Sequence, residues 1–294
     1  MEERIIRAGI IGYNEGNGHP YSFASIINGY DKNQNWERYP QILNYLKLNQ
    51  KEEENIPGIS VTKIYAPQKN IATEIANCAL IPIVAKEVDE LFIDIDIVMV
   101  LSDEGDNHWE ISKKFLEKGI PVFIDKPLCT NLTDLISFTP YLNDNLLLSC
   151  SGFLYHDRIV YLKSKSEVNI SYTIGKTKID WFKYGIHLLE PIIQIHKSKI
   201  RNIRNWKNEK DNDIAFIEFE NNTYSIIIRD DSNDVFSIDV HFKDSESEII
   251  VFNDNYTYFK NLIQDIIKFY QGERVLTPNH TIKVIEALIE TKNK

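Results

Sequence analysis

Residues 95–127, IDIVMVLSDEGDNHWEISKKFLEKGIPVFIDKP, contain a strand, a helix and a second strand in close succession. Ile95–Leu101 is an apolar run, which predicts a buried strand. His108–Lys118 has apolar residues at helical spacing and stops at Gly119, and Ile120–Ile124 predicts the next strand. Strands that are apolar throughout and separated by a helix are typical of a parallel sheet covered on both faces. The stretch therefore predicts an α/β fold.

The same alternation extends towards the N-terminus. Strands are predicted at Ile5–Ile11 and Val61–Tyr65, and helices are predicted at Tyr21–Tyr30, around Tyr39–Leu48 and at Ile71–Cys78. Because parallel strands are joined by right-handed crossovers, this order predicts a Rossmann-like, doubly wound parallel sheet.

The second half of the chain has a different pattern. Strands are predicted at Leu146–Tyr155 and, with alternating apolar and polar residues and short polar turns between them, at Asp213–Glu220, Thr223–Arg229, Val235–Phe242 and Glu248–Phe252. Helices are predicted at His187–Ile195 and, at the end of the chain, at Tyr258–Tyr270 and His280–Thr291. Short turns between successive strands imply a mixed or antiparallel sheet. We therefore expect an N-terminal Rossmann-like domain at residues 1–127 and a C-terminal α+β domain at residues 128–294.

Composition excludes several classes of protein. The 294 residues are 43% hydrophobic with a net charge of −10, which argues against a disordered chain and against a nucleic-acid or anionic membrane partner. Three cysteines without C-x-x-C spacing make a disulfide framework and a cysteine zinc site improbable, and no other metal site is expected. The apolar stretch Ala79–Ala85 is far shorter than the ~20 residues of a spanning helix, and no signal peptide is visible. We expect a cytoplasmic protein.

A glycine-rich turn, Gly12-Tyr-Asn-Glu-Gly-Asn-Gly-His19, lies between the first predicted strand and helix. In this context backbone N–H groups at a helix N-terminus bind the pyrophosphate of a dinucleotide. No register matches G-x-G-x-x-G, since Asn14 and Asn17 replace the second and third glycines. Asparagine tolerates left-handed backbone geometry, so an anion-binding turn remains open. The alternative is a long loop without a ligand.

The second predicted strand ends in Tyr65-Ala-Pro-Gln-Lys69 and has no acid for a ribose 2′-hydroxyl. The missing acid and the nearby Lys69 favour a 2′-phosphate. The expected cofactor is NAD or NADP, with a lean towards NADP.

Two ordered motifs resemble those of the Gfo/Idh/MocA family of NAD(P)-dependent oxidoreductases. In that family a histidine begins a helix after a strand and loop, and a Glu-Lys-Pro signature follows the next strand. Here the histidine is His108 and the signature reads Asp125-Lys126-Pro127. The family's second signature, Asp-x-Gly-x-His, corresponds to residues 183–187, in which Lys183 replaces the acid. The resemblance extends over nearly the whole chain, with residues 30–58 as an insertion.

The resemblance implies an enzyme that transfers a hydride between a nicotinamide and a carbon of a sugar, nucleotide sugar or cyclic polyol. It implies that Lys126, in a cis Lys126–Pro127 bond, contacts the nicotinamide ribose and the substrate oxygen, and that Lys126 and His187 handle the alcohol proton. A homo-oligomer, dimer or tetramer, is also expected. The residues assigned to the cofactor are Gly12, Tyr13, Asn14, Gly16, Gly18, Ser102, Asp103, His108, Asp125, Lys126 and Pro127, and those assigned to the substrate are Tyr155, Trp181 and Tyr184.

Lys183 is the main departure from the family. An ammonium beside Lys126 and His187 would lower the pKa of both groups. It therefore suggests either a neutral Lys126 base, which makes Lys183 part of the catalytic set, or a pocket for an anionic substrate. His19, His156, His196, His241 and His280 have no comparable sequence context.

The alternative function is a family member that has lost turnover and acts as a ligand sensor or scaffold. The altered glycine motif and Lys183 favour it, whereas the retained Lys126 and His187 favour an enzyme. A metal-dependent hydrolase would need a cluster of ligands that the sequence lacks.

Overall fold

The computed structural model describes residues 4–166, 169–178, 180–207, 213–232 and 235–292. Its strands are β1 Ile6–Ile11, β2 Ile59–Tyr65, β3 Ile83–Val84, β4 Ile97–Val100, β5 Val122–Ile124, β6 Leu147–Leu148, β7 Ile170–Thr177, β8 Ile200–Lys207, β9 Asp213–Phe219, β10 Tyr224–Arg229, β11 Phe236–Phe242 and β12 Glu248–Phe252. Its α-helices are α1 His19–Asn28, α2 Pro40–Asn49, α3 Lys69–Cys78, α4 His108–Glu117, α5 Leu132–Asn143, α6 Asp157–Ser164, α7 Ile186–His196, α8 Asn255–Tyr270 and α9 Pro278–Lys292. Among the described residues, no helix is long and apolar enough to cross a membrane.

Two compact units make up the chain, and each gathers several stretches of sequence. The first contains residues 1–125, 137–149 and 259–276, and the second contains residues 126–136, 150–258 and 277–294. The single domain boundary after residue 127 stays a prediction.

The first unit contains a six-stranded sheet in the order β3-β2-β1-β4-β5-β6. Every neighbouring pair is parallel, so the predicted Rossmann-like, doubly wound sheet is confirmed. The central strands β4 and β5 are buried along their whole length, as their apolar sequences require. The carboxyl ends of β1 and β4 therefore lie side by side, which is where open α/β sheets bind ligands.

The second unit contains a six-stranded mixed sheet in the order β12-β11-β7-β10-β9-β8. β7 and β10 pair in parallel, whereas the other neighbours are antiparallel, which confirms the predicted mixed sheet. α7 packs closely on one face of the sheet. A side chain at Gly175 would lie 3.1 Å from Leu188 and 3.4 Å from Ile192, so glycine at this position lets the helix approach the strand.

The strand predicted at Leu146–Tyr155 is wrong beyond its first residues. Only Leu147–Leu148 pairs as β6, and Gly152–Tyr155 forms a 3-10 helix. The Ser151 side chain accepts the N–H of Phe153 and so caps this turn, which competes with extended backbone. The helix predicted around Tyr39–Leu48 is confirmed as α2.

Candidate cofactor and substrate sites

The glycine-rich turn of the first unit holds two glycines in left-handed geometry. Gly12 has φ +114° and Gly16 has φ +80°. A Cβ at Gly12 would lie 2.8 Å from the backbone nitrogen of Ser102, at the carboxyl end of β4. Only glycine permits this approach of two backbones, so Gly12 has the role that the first glycine has in a dinucleotide turn.

The two asparagines of the turn act through their side chains. Neither Asn14 nor Asn17 has a positive φ, so the turn does not use the left-handed geometry that asparagine tolerates. The Asn14 carboxamide instead accepts the backbone N–H of Asp103 at 3.0 Å and donates to the Asp103 carboxylate. Asn17 donates to the carbonyl of Leu101 at 2.8 Å and accepts the N–H of His19 at 2.9 Å. The bonds to Asp103 and Leu101 attach the turn to the end of β4. Glycines at the two asparagine positions would instead allow a tighter turn.

The turn retains donors that suit an anion. Within the described part of the chain, the backbone N–H groups of Tyr13, Asn14, Glu15, Gly16 and Gly18 have no acceptor. They precede the first turn of α1, whose N-terminus attracts negative charge. The residues present therefore fit the pyrophosphate of a dinucleotide. Gly12, Tyr13, Asn14, Gly16 and Gly18 lie together in this turn, as the sequence predicted.

Ser102 and His108 form a buried pair beside the turn. His108 is the first residue of α4, and its Nε2 lies 3.1 Å from both the hydroxyl and the carbonyl oxygen of Ser102. His108 is fully buried, and its contacts with Ser102 hold the loop after β4. Its assignment to the cofactor stays a prediction.

Asp125 pairs with His19, which the sequence did not single out. The His19 Nδ1 contacts the Asp125 carboxylate, and the imidazole packs against the ring of Phe259 at 5.1 Å. His19 begins α1 directly after the glycine-rich turn, whereas Asp125 follows β5. The two residues are 106 positions apart, so only the parallel sheet brings them together. His19 therefore joins the glycine-rich turn to the end of β5.

In the second unit, Lys126 is held by the backbone of the second signature. The Lys126–Pro127 bond is cis, as the resemblance implied. The Lys126 side chain is buried, with 3% of its residue surface exposed, and Nζ donates to the carbonyl oxygen of Lys183 at 3.1 Å. A π-helical turn at Trp181–Gly185 aims this carbonyl, and the Asp180 carboxylate caps the turn by accepting the Lys183 N–H at 2.9 Å.

Lys183 therefore meets Lys126 through its backbone carbonyl, whose dipole attracts an ammonium. The Lys183 Nζ lies 5.8 Å from the ring centre of Tyr184, and the Nζ of Lys178 lies 5.9 Å from the same ring. Tyr184 is half-buried and packs on Phe236 at 5.9 Å. Lowering of the Lys126 and His187 pKa values by Lys183 stays a prediction.

Trp181 occupies the core of the second unit. Its indole N–H donates to the carbonyl of Leu288 at 3.0 Å, and the Arg229 guanidinium lies 4.6 Å from its ring centre. A Cβ at Gly185 would lie 2.1 Å from the indole, which explains why a glycine precedes α7. Trp181 thus has a packing role, and its contact with substrate stays a prediction. Tyr155 is half-buried at the end of the 3-10 helix, and its substrate contact also stays a prediction.

His187 belongs to a buried polar network. Its Nδ1 lies 2.7 Å from the hydroxyl of Ser151, whose backbone N–H donates to Glu190 at 2.6 Å. The other oxygen of Glu190 lies 3.2 Å from Nε2 of His280. His280 is therefore part of the same buried network. Sequence reasoning missed Ser151 and Glu190, although Glu190 follows His187 by three residues and so lies on the same helix face.

A parallel sheet in Rossmann order with a donor-rich turn after its first strand is typical of dinucleotide-binding domains. A family model described as "Oxidoreductase family, NAD-binding Rossmann fold" matches residues 37–144, and this family is GFO_IDH_MocA. Over this range the match confirms the resemblance to the Gfo/Idh/MocA family that was drawn from the motifs. No curated protein sequence matches the chain.

Solved structures share the fold along the full length. Myo-inositol 2-dehydrogenase from Lactobacillus plantarum is 14% identical, with a TM-score of 0.77 over 99% of this chain and 97% of that chain. UDP-N-acetylglucosamine 3-dehydrogenase GnnA from Acidithiobacillus ferrooxidans is 13% identical, with a TM-score of 0.74 over 99% and 97%. Scyllo-inositol dehydrogenase from Lactobacillus casei, with bound NAD(H) and scyllo-inositol, is 12% identical, with a TM-score of 0.75 over 99% and 96%. At these identities the likeness shows the fold.

Proposed function

We propose that this protein is an NAD(P)-dependent dehydrogenase or reductase that acts on a CH–OH carbon of a sugar, nucleotide sugar or cyclic polyol. The observation that carries the proposal is the turn at residues 12–18, whose unpaired N–H groups lie at the carboxyl edge of a Rossmann-ordered sheet. The names of the similar structures support the substrate class, since they are dehydrogenases of inositols and of UDP-N-acetylglucosamine.

Lys126 and His187 handle the substrate oxygen in this proposal. A bound nicotinamide supplies the hydride donor or acceptor. The Lys126 ammonium, oriented by the Lys183 carbonyl, binds the oxygen and gives it a proton on reduction, or takes that proton as an amine on oxidation. His187 donates a second hydrogen bond to the same oxygen.

The cofactor proposal is NADP rather than NAD. β2 is followed by Ala66–Lys69 without a carboxylate that would hold a ribose 2′-hydroxyl and repel a phosphate. Gly12 donates its N–H to the carbonyl of Tyr65, so the end of β2 adjoins the glycine-rich turn. Arg38 lies beside that turn, with its guanidinium carbon 5.9 Å from the ring centre of Tyr13. Arg38 and Lys69 together supply the positive charge that a 2′-phosphate requires.

The substrate proposal is an anionic sugar, such as a nucleotide sugar or a sugar acid. The ammonium groups of Lys178 and Lys183 flank the ring of Tyr184, which offers an apolar face to a sugar. This local charge contrasts with the net charge of −10 of the whole chain. Replacing both lysines by methionine is expected to raise KM for a sugar acid and to leave KM for a neutral inositol unchanged.

A homo-oligomer, dimer or tetramer, is also proposed. A row of aromatic rings lies on the face of the mixed sheet away from α7, where Tyr172 stacks on Tyr224 at 5.1 Å and on His241 at 4.2 Å. Such a face is suited to pack against a second copy of the sheet. Light scattering of the purified protein measures the oligomeric state, and a monomer at micromolar concentration would contradict this part of the proposal.

Turnover tests the enzyme proposal directly. The protein is incubated with NADP or NAD and a panel of inositols, nucleotide sugars and sugar acids, and absorbance at the nicotinamide band is followed. Lys126→Met is expected to lower kcat by about 10²–10⁴-fold, the range for loss of a proton-transfer group. Lys163→Met, an exposed lysine of α6, is the matched control and should retain activity. Saturable dinucleotide binding without turnover of any substrate would favour the sensor alternative.

A further inference from the structure

One ring nitrogen of His187, Nδ1, has a defined partner. Nδ1 lies 2.7 Å from the Ser151 hydroxyl, and the imidazole packs against Phe153 at 4.5 Å and Phe236 at 5.9 Å between ring centres. His187 is 8% exposed, so the ring has little freedom to choose another partner. The opposite nitrogen, Nε2, is the one that can serve a substrate.

Ser151 is itself held in place from two sides. Its backbone N–H donates to one oxygen of Glu190 at 2.6 Å, and the other oxygen of Glu190 lies 3.2 Å from Nε2 of His280. Its hydroxyl accepts the N–H of Phe153 at 3.2 Å. Both Ser151 and Glu190 are buried, with 0% and 2% exposure, so water does not compete for these bonds.

The single hydrogen and two lone pairs of the Ser151 hydroxyl determine which atom donates the hydrogen bond between Ser151 and His187. A serine hydroxyl has one hydrogen to donate and two lone pairs to accept with. One lone pair takes the Phe153 N–H, and within the described residues the only acceptor in reach of the hydroxyl hydrogen is Nδ1 of His187. If Nδ1 instead carried a proton, it would occupy the second lone pair and leave a buried hydroxyl hydrogen without an acceptor, which is costly.

We propose that Ser151 is a positioning residue that keeps His187 neutral with its proton on Nε2. His187 then acts as a hydrogen-bond donor to the substrate oxygen, and the transferred proton belongs to Lys126. The assignment of a role in turnover rests on the proposed function, whereas the tautomer does not. A carboxylate on Nδ1 would instead stabilise an imidazolium. Ser151 therefore changes the chemistry of the histidine in a chain whose second signature has lost its acid.

The tautomer is measured by long-range ¹H–¹⁵N correlation spectra of the full chain with ¹⁵N-labelled histidine at pH 8. His187→Gln identifies the His187 signals by their disappearance. The wild-type protein is expected to show an unprotonated Nδ1 and a protonated Nε2 at His187. In Ser151→Ala the pattern should shift towards a mixture of tautomers. Ser225→Ala, which removes another fully buried hydroxyl, is the control and should leave the His187 signals unchanged.

A protonated Nδ1 in the wild-type protein would overturn the proposal, as would a Ser151→Ala spectrum with an unchanged Nε2–H pattern. Should Ser151→Ala fail to fold, Ser151→Thr carries the test, because its hydroxyl must preserve the Nε2–H pattern. These spectra need neither cofactor nor substrate, so their outcome is separate from that of the dehydrogenase proposal. With an active protein, Ser151→Ala should lower kcat about tenfold and leave the cofactor Kd unchanged, and Ser151→Thr should restore kcat.

Discussion

Replacing Arg38 by glutamine is expected to weaken binding of NADPH far more than binding of NADH. Arg38 precedes α2 and contacts Tyr13 of the glycine-rich turn, and its Nε lies 3.5 Å from Glu74 of α3. The Arg38 guanidinium is charged at neutral pH, as arginines are, and Tyr13 raises its pKa further. The arginine thus lies between the turn and the helix that follows β2, the two elements that border an adenosine ribose in a Rossmann site.

The expected loss of NADPH affinity is the free energy of the bonds from Arg38 to the phosphate, less that of the ion pair with Glu74 that Arg38 gives up when the phosphate binds. Charge-assisted hydrogen bonds to a phosphate contribute about 1.5–3 kcal/mol. The contact with Glu74 is long, the Arg38 side chain is 39% exposed, and Tyr21 already donates to Glu74 at 2.7 Å. Loss of so weak an ion pair costs about 0.5 kcal/mol. The net effect of about 1–2.5 kcal/mol corresponds to a 5- to 60-fold increase in the Kd for NADPH.

The assay is calorimetric titration of wild-type and Arg38→Gln protein with NADPH and with NADH. Arg204→Gln is the control, because Arg204 is an exposed arginine of β8 that pairs with the carboxylate of Glu218. The Kd for NADH should change less than twofold in either variant. Equal weakening of both dinucleotides by Arg38→Gln, or an unchanged Kd for NADPH, would refute the assignment of Arg38 to the 2′-phosphate.

Three further predictions concern stability and the second unit. Gly185→Ala forces a Cβ to 2.1 Å from the Trp181 indole, and the overpacking is expected to lower the free energy of unfolding by about 1–3 kcal/mol in urea titrations followed by tryptophan fluorescence. Glu190→Ala leaves the Ser151 N–H without its acceptor and is expected to cost about 1–3 kcal/mol, while Glu190→Gln, which keeps one carbonyl oxygen for that N–H, should cost less. Burial lowers the pKa of His196 to about 3, below the ~6.5 of an unfolded chain, so the unfolded state binds the extra proton between these pH values. The free energy of unfolding should therefore fall with decreasing pH in this window, and His196→Asn should reduce the slope by about 1.4 kcal/mol per pH unit; an unchanged slope would show that His196 does not titrate on unfolding.

The first unit was predictable because its central strands are buried on both faces. β4 and β5 are continuous apolar runs that need no partner information to recognise, and β1 is apolar apart from Arg7. β8 escaped prediction because its sequence, IRNIRNWK, is mostly polar, and Ile203 is the only residue that is buried among residues 200–206, whose burial is described. Its pairing with β9 therefore depends on the neighbouring strand rather than on a pattern of its own.

The candidate sites likewise contain residues that the sequence reveals and residues that only the fold reveals. Lys126 and His187 follow from short motifs that are contiguous in sequence. The rest of the buried network does not follow from a motif. Ser151 is 36 positions from its partner His187, and His280 is 90 positions from its partner Glu190. The role of the turn asparagines was also hidden, since a sequence shows that Asn14 replaces a glycine but not that its side chain bonds to Asp103.

The most direct test of the central claim is titration of the folded protein with NADPH and with NADH. We predict saturable binding of one dinucleotide per chain, tighter for NADPH, followed by a change in nicotinamide absorbance when a sugar substrate is added. A protein that is folded by circular dichroism and binds neither dinucleotide would contradict the assignment of the turn at residues 12–18, and with it the oxidoreductase function.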